Sequence, residues 1–212
     1  HVHAFFKRRG PNPGDHYRPR AFADCMCLET VDIRKITEIG AEAFSNCERL
    51  SAVSFSDSIK HIGLRAFENC HGIESIRLPG SLGAFSSNDT EEGVLSINGD
   101  SAFLNCHGIK TVEFGEGITE IPPHFLDGCV NLTKVDLPNS LACVCYQAFE
   151  NCAGLESIII PQNVTRISFS AFRYCKKLKS VMLPEALQEI ANNTFEGCKV
   201  VPLSRPRSRN FA

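Results

Sequence analysis

The chain has 212 residues, 22 Lys and Arg against 24 Asp and Glu, a formal net charge of −2 and 43% hydrophobic residues. This near balance excludes a general attraction to nucleic acid or to an anionic membrane, and no apolar run approaches the roughly 18 residues a membrane helix needs. Eleven cysteines suggest a disulfide scaffold, metal sites or a repeated structural use, and their spacing decides among these.

Residues 1–16 read as an N-terminal basic tail, disordered or a partial cap, with Lys7, Arg8 and Arg9 among prolines and glycines. His1-Val2-His3 could bind a metal, but an exposed tail explains it. The opening stretch lacks the long apolar core of a signal peptide. From residue 17 to residue 201 one unit recurs, anchored by Cys25, Cys47, Cys70, Cys106, Cys129, Cys152, Cys175 and Cys198, at spacings of 22, 23, 36, 23, 23, 23 and 23. A fixed period of this length marks a solenoid of about seven to eight repeats. Residues 202–212, with Arg205, Arg207 and Arg209 among prolines, form a C-terminal basic tail.

Three residues before each anchor stands Phe22, Phe44, Phe67, Phe103, Leu126, Phe149, Phe172 or Phe195, usually preceded by alanine. The fifth unit swaps the pair, placing Phe125 in the alanine slot and Leu126 in the phenylalanine slot. After the cysteine, apolar residues fall at +3, +6 and +8, with polar ones at +5 and +7. That alternation predicts a strand from +3 to +8 with one face inward. A second apolar pair, such as Ile118/Ile121 or Val164/Ile167, precedes the Ala-Phe corner. One unit cannot bury its apolar positions alone. Stacked on its neighbours it can, each large side chain contributing roughly 1.5–3 kcal/mol.

Stacking puts the eight anchor cysteines at one address per coil with parallel Cα–Cβ directions, which do not suit disulfide geometry. They are expected to form a reduced ladder, each thiol a small hydrophobe and a weak donor to a neighbouring carbonyl. Cys27, Cys143 and Cys145 lie off that address. Cys143-Val144-Cys145 looks like a ligand pair, but Val144 takes the inward slot, so both thiols should leave the core. Without a second pair, no metal is expected there.

The pattern C-x-x-L-x-x-V-x-L-P-x-x-[LVI]-x-x-I-x-x-x-A-F-x-x-C resembles the BspA-like class of leucine-rich repeats. The resemblance covers residues 17–201. It implies an α/β-type repeat solenoid, a right-handed leucine-rich-repeat superhelix of mostly short parallel strands joined by irregular or short helical turns, with a concave strand face. It further implies a non-catalytic adhesion or protein-interaction module of an extracellular or cell-surface protein, with a protein ligand and no cofactor.

The one interruption lies between Cys70 and Cys106, a turn 13 residues longer than the period. Its excess, residues 83–98, is polar and acidic, and loops inserted into solenoids often carry function. Asp89, Glu91 and Glu92 could hold calcium, but they follow no EF-hand spacing, and a solvated acidic loop explains them. His71 and His107 share an address directly after their cysteines, as repeat copying in an exposed turn would produce. No nucleophile elbow, zinc-protease, P-loop or dinucleotide motif occurs. Asn88, Asn131, Asn163 and Asn192 head N-x-T triplets, glycan acceptors only in a secreted eukaryotic chain.

Function therefore falls to the outward strand positions. At +7 these include Arg77, Glu113, Asp136, Ile159 and Met182, a polar, charged end followed by two adjacent large apolar side chains. Such residues suit a docking partner, because buried anchors carry most interface energy. The expected ligand-binding set is Arg77, Glu113, Asp136, Ile159 and Met182, with Asp89 and Glu91 from the insertion. Carbohydrate or cell-wall binding is the alternative, disfavoured by zero Trp and three Tyr. A purely structural array within a larger surface protein is the other.

Overall fold

A computed structural model describes residues 16–83 and 99–199; Asp89, Glu91, Glu92 and nearly all of the 83–98 insertion lie outside the described residues. The chain in the described parts is a stack of coils that carries its backbone hydrogen bonds from each coil to the next. A complete coil, such as those that begin at Cys106, Cys129, Cys152 and Cys175, offers two short strand segments. In chain order they are β1 (His16–Tyr17), β2 (Glu38–Ile39), β3 (His61–Ile62), β4 (Ser75–Leu78), β5 (Thr111–Phe114), β6 (Glu120–Ile121), β7 (Lys134–Asp136), β8 (Cys143–Val144), β9 (Ser157–Ile159), β10 (Arg166–Ile167), β11 (Ser180–Met182) and β12 (Glu189–Ile190). The one helical element among the described residues is a 3-10 turn over Gly80–Leu82. All pairings are parallel and advance one repeat at a time.

The two segments build two faces. β1, β2 and β3 pair in that order on one face, and β6, β8, β10 and β12 continue it after the insertion. The other face holds β4, β5 and β7 in one sheet and β9 with β11 in another. The strands on this second face occupy +5 to +7 or +8 after the cysteine, shorter than the +3 to +8 that alternation predicts. The leucine-type residue at +3 belongs instead to the turn, where Leu50, Leu132, Leu155 and Leu178 donate their amides to the carbonyl of their own anchor cysteine. In the first two coils this face is reduced to a single bridge, Thr30 to Ala52.

Sharp corners need unusual backbone, and the sequence supplies it with little glycine. Each corner holds two residues in the left-handed region. One precedes the alanine slot, as Glu42, Arg65, Ser101, His124, Gln147 and Ser170 do; the other directly precedes the cysteine, as Asn46, Asn69, Asn105 and Asn151 do. Asparagine tolerates that region best among residues with a side chain. It also links coils here: Asn69 Nδ2 donates to Asn46 Oδ1 at 2.8 Å, and Asn151 Nδ2 to Asp127 Oδ1 at 3.0 Å.

Inside, identical addresses stack. Phe44, Phe67 and Phe103 lie nearly parallel at 5.1–5.2 Å, as do Phe149 and Phe172 at 5.1 Å. The swapped fifth unit keeps both side chains fully buried, but Phe125 meets Phe103 edge-on at 73°, ending the parallel stack locally. Beside the rings runs the cysteine ladder. The thiols of Cys47, Cys70, Cys106, Cys129, Cys152, Cys175 and Cys198 each donate to the carbonyl of the corner residue one coil back, at 3.0–3.4 Å. The cysteines are free thiols, the arrangement expected from parallel side-chain directions. Burial pushes Cys47, Cys70, Cys106, Cys129 and Cys152 above the ordinary thiol range, Cys47 to about 11.

Candidate functional site

The sheet of β4, β5 and β7 brings three of the expected binding residues into one row. Arg77 lies in register with Glu113, and Glu113 with Asp136. Arg77 Nε is 3.3 Å from Glu113 Oε1, and Lys134 Nζ is 2.7 Å from Asp136 Oδ2 along β7. All four side chains are at least half exposed, so these pairs are screened and contribute little to stability. Their role, if they meet a ligand, is orientation and approach.

Ile159 and Met182 are direct cross-strand partners on β9 and β11, with relative exposures of 66% and 59%. Their strand neighbours Ile158 and Val181 point inward and are buried. The exposure thus follows from pleat alternation, which leaves two adjacent large apolar groups in water.

Between the charged row and the apolar pair the face is open. β7 and β9 are consecutive strands of this face, yet they belong to separate sheets. A groove of about 380 Å³ opens there, lined by Lys134, Val135, Asp136 and Leu137 on one side and by Ser157, Ile158 and Ile159 on the other. Val135 and Leu137 are only partly buried, whereas Val112 and Phe114, one coil earlier in the same slots, are 1% and 4% exposed. The core behind stays closed, because Leu132, Leu155 and Phe149 are fully buried and β6 still pairs with β8 on the other face. The split is therefore confined to one face. Sequence reasoning missed it, and Val135 and Leu137 obey the same apolar rule as their counterparts, so their residue types carry no signal of it.

Other candidates separate cleanly. The rings of His71 and His107 stack at 4.7 Å, as their shared address requires, and His71 Nδ1 is buried without a hydrogen-bond partner. Burial and then His71 lower the pKa of His107. No group of three or more His, Cys, Asp or Glu is placed to hold a metal ion among the described residues. No helix among them is long and apolar enough to cross a membrane. Cys143 and Cys145 flank the fully buried Val144, and Cys143 lies outside the continuous core, under the side chain of Arg166, whose Nε is 3.3 Å from its Sγ.

Two strand ladders, one corner per coil and a ring-and-thiol interior define a parallel-strand β-solenoid of the repeat-protein class. The chain belongs to the family described as BspA type Leucine rich repeat region, whose profile matches in six copies over residues 16–91 and 84–201. Among solved structures, it is similar to a leucine-rich repeat protein from Bacteroides ovatus, with 27% identity and a TM-score of 0.65 over 87% of this chain and 50% of that one. It also shares the fold of a leucine-rich repeat protein from Eubacterium ventriosum, with 23% identity and a TM-score of 0.71 over 85% of this chain and 45% of that one. The chain spans about half the length of these two proteins. No curated protein matches it in sequence.

Proposed function

We propose that this chain is a non-catalytic protein-recognition or adhesion module, whose protein ligand docks on the face formed by β4, β5, β7, β9 and β11. The observation that carries the reading is the adjacency of Ile159 and Met182, both mostly exposed, to the groove between β7 and β9. A partner's apolar side chain fits there. It would cover Ile159 and Met182 and meet the half-buried Val135 and Leu137, while the strand edges on either side of the groove offer backbone groups to an extended segment. The charged row of Arg77, Glu113 and Asp136 runs away from the groove, beginning at Asp136 on its edge, and favours a partner of complementary charge pattern whose orientation it sets. Sugar recognition is the weaker reading, since this face presents no aromatic platform.

The test is surface plasmon resonance of the full chain against a panel of purified extracellular-matrix proteins. At least one should bind, and Ile159→Asp with Met182→Asp should weaken it by about tenfold or more, the loss of about 1.4 kcal/mol or more of anchor burial. Phe169→Asp, at an exposed aromatic outside these strands, should leave it unchanged. Absence of binding to every member of the panel, or equal affinity of the double variant, would refute the reading.

A further inference from the structure

The outward column on the face of β6, β8, β10 and β12 carries a charge in every coil but one. Glu120, Cys143, Arg166 and Glu189 stand in register, one per strand, so Cys143 occupies the charged address of its coil. Its Sγ receives the Arg166 Nε–H at 3.3 Å, a charge-assisted contact that only a thiolate fully uses. Cys145, two residues on, projects to the same side because Val144 between them points into the core. Its own address is one that Ser168 and Ala191 fill in the following coils, and its amide is tied to Ile121 at 3.0 Å.

We propose that Cys143, its Sγ held by the Arg166 guanidinium at a charged address of the outer column, is an oxidant-sensitive modification site that reacts with small hydroperoxides, and that it is chemically distinct from the fully buried ladder thiols Cys70, Cys106, Cys129 and Cys152. Cys143 is 8% exposed and covered by a solvent-facing arginine side chain instead of by the core, so a small oxidant reaches it where a bulky disulfide does not. The neighbouring Cys145 thiol and the Arg166 guanidinium outweigh burial and lower the Cys143 pKa to about 6, while the same contact raises that of Cys145. Glu120 and Glu189 are the acidic groups facing this column. Glu189 acts on Arg166, and Glu120 on Cys145.

In the reaction, the Cys143 thiolate attacks the terminal oxygen of the hydroperoxide. A sulfur–oxygen bond forms as the oxygen–oxygen bond breaks, the alkoxide or hydroxide leaves and takes a proton from solvent, and the sulfur, oxidised by two electrons, becomes a sulfenic acid. Closure onto Cys145 is opposed by backbone geometry. Two residues of extended strand separate Cα atoms by about 6.6–6.8 Å, the upper limit for a disulfide.

The experiment treats the folded 212-residue chain with hydrogen peroxide, removes the excess with catalase, then unfolds the chain in urea containing dimedone and maps the adducts by peptide mass spectrometry. Cys143 should carry the dominant adduct, ahead of the ladder cysteines and of the exposed Cys25 and Cys27. Arg166→Gln should cut its labelling rate at pH 6, since it removes the cation that favours the ionised thiol, and Arg166→Lys should restore part of it. The Cys145→Ser variant retains a hydroxyl donor and cannot form the disulfide, so its Cys143 should label at least as well. Absence of a Cys143 adduct in that variant, or equal rates in the wild type and Arg166→Gln, would overturn the proposal.

Discussion

Phe149→Ala tests how strongly one coil depends on the next. The Phe149 ring is fully buried and lies parallel to Phe172 at 5.1 Å, while its amide donates to Ala171 and its carbonyl accepts the Cys175 thiol. The substitution leaves the backbone bonds in place and removes only the ring. The expected cost is about 3–5 kcal/mol, transfer plus cavity, because the rigid hydrogen-bonded coils on both sides cannot collapse into the space. In a solenoid this loss falls on one nearest-neighbour interface, so the coils after Cys152 should unfold at lower urea than those before it. Phe149→Leu should cost clearly less than Phe149→Ala, since it removes fewer buried atoms and leaves a smaller cavity. Phe169→Ala, at a ring 47% exposed, should stay within about 0.5 kcal/mol. The assay is equilibrium urea unfolding followed by far-UV circular dichroism, which suits a chain without Trp. A cost below about 1.5 kcal/mol for Phe149→Ala, or equal costs for Phe149→Ala and Phe149→Leu, would refute the stacked-interior argument.

Two further outcomes are expected. Hydrogen bonding to Asp127, at 3.1 Å from its Nδ1, raises the pKa of His124, whereas burial lowers those of His61 and His107. The stability from His124 is therefore full below the ordinary histidine value of about 6.5 and is lost as pH rises through its folded-state pKa; His61 and His107 instead cost stability as pH falls below that ordinary value. Histidine NMR titration should show His124 deprotonating last of the three, and His124→Gln should remove the loss on the alkaline side; a His124 midpoint at or below that of His61 would contradict this. Thiol counting with an aromatic disulfide reagent at pH 7 should find all 11 cysteines in denaturant. In the native chain Cys70, Cys106, Cys129 and Cys152 should stay unreactive, because burial both shields them and raises their pKa. Rapid native reaction of those four would mean that the coils separate readily.

The repeat was legible because each address has one chemistry. A phenylalanine and a cysteine three residues apart, recurring with the period, predict the ring stack and the thiol ladder, and both are present at the expected partners. The swapped Phe125-Leu126 unit was legible too, since it preserves spacing to Cys129 and both side chains are buried. The pairing of Arg166 with Cys143 follows the same rule, one period of 23 residues apart, although the types of Cys143 and Cys145 alone point to metal or disulfide chemistry. What the pattern omits is how tightly each coil seats on the next. Val135 repeats Val112 and Leu137 repeats Phe114 in role, so the amphipathic code is satisfied at β7 whether or not β9 pairs with it. The groove between β7 and β9 therefore lies where the residue pattern continues unchanged and the strand pairing does not.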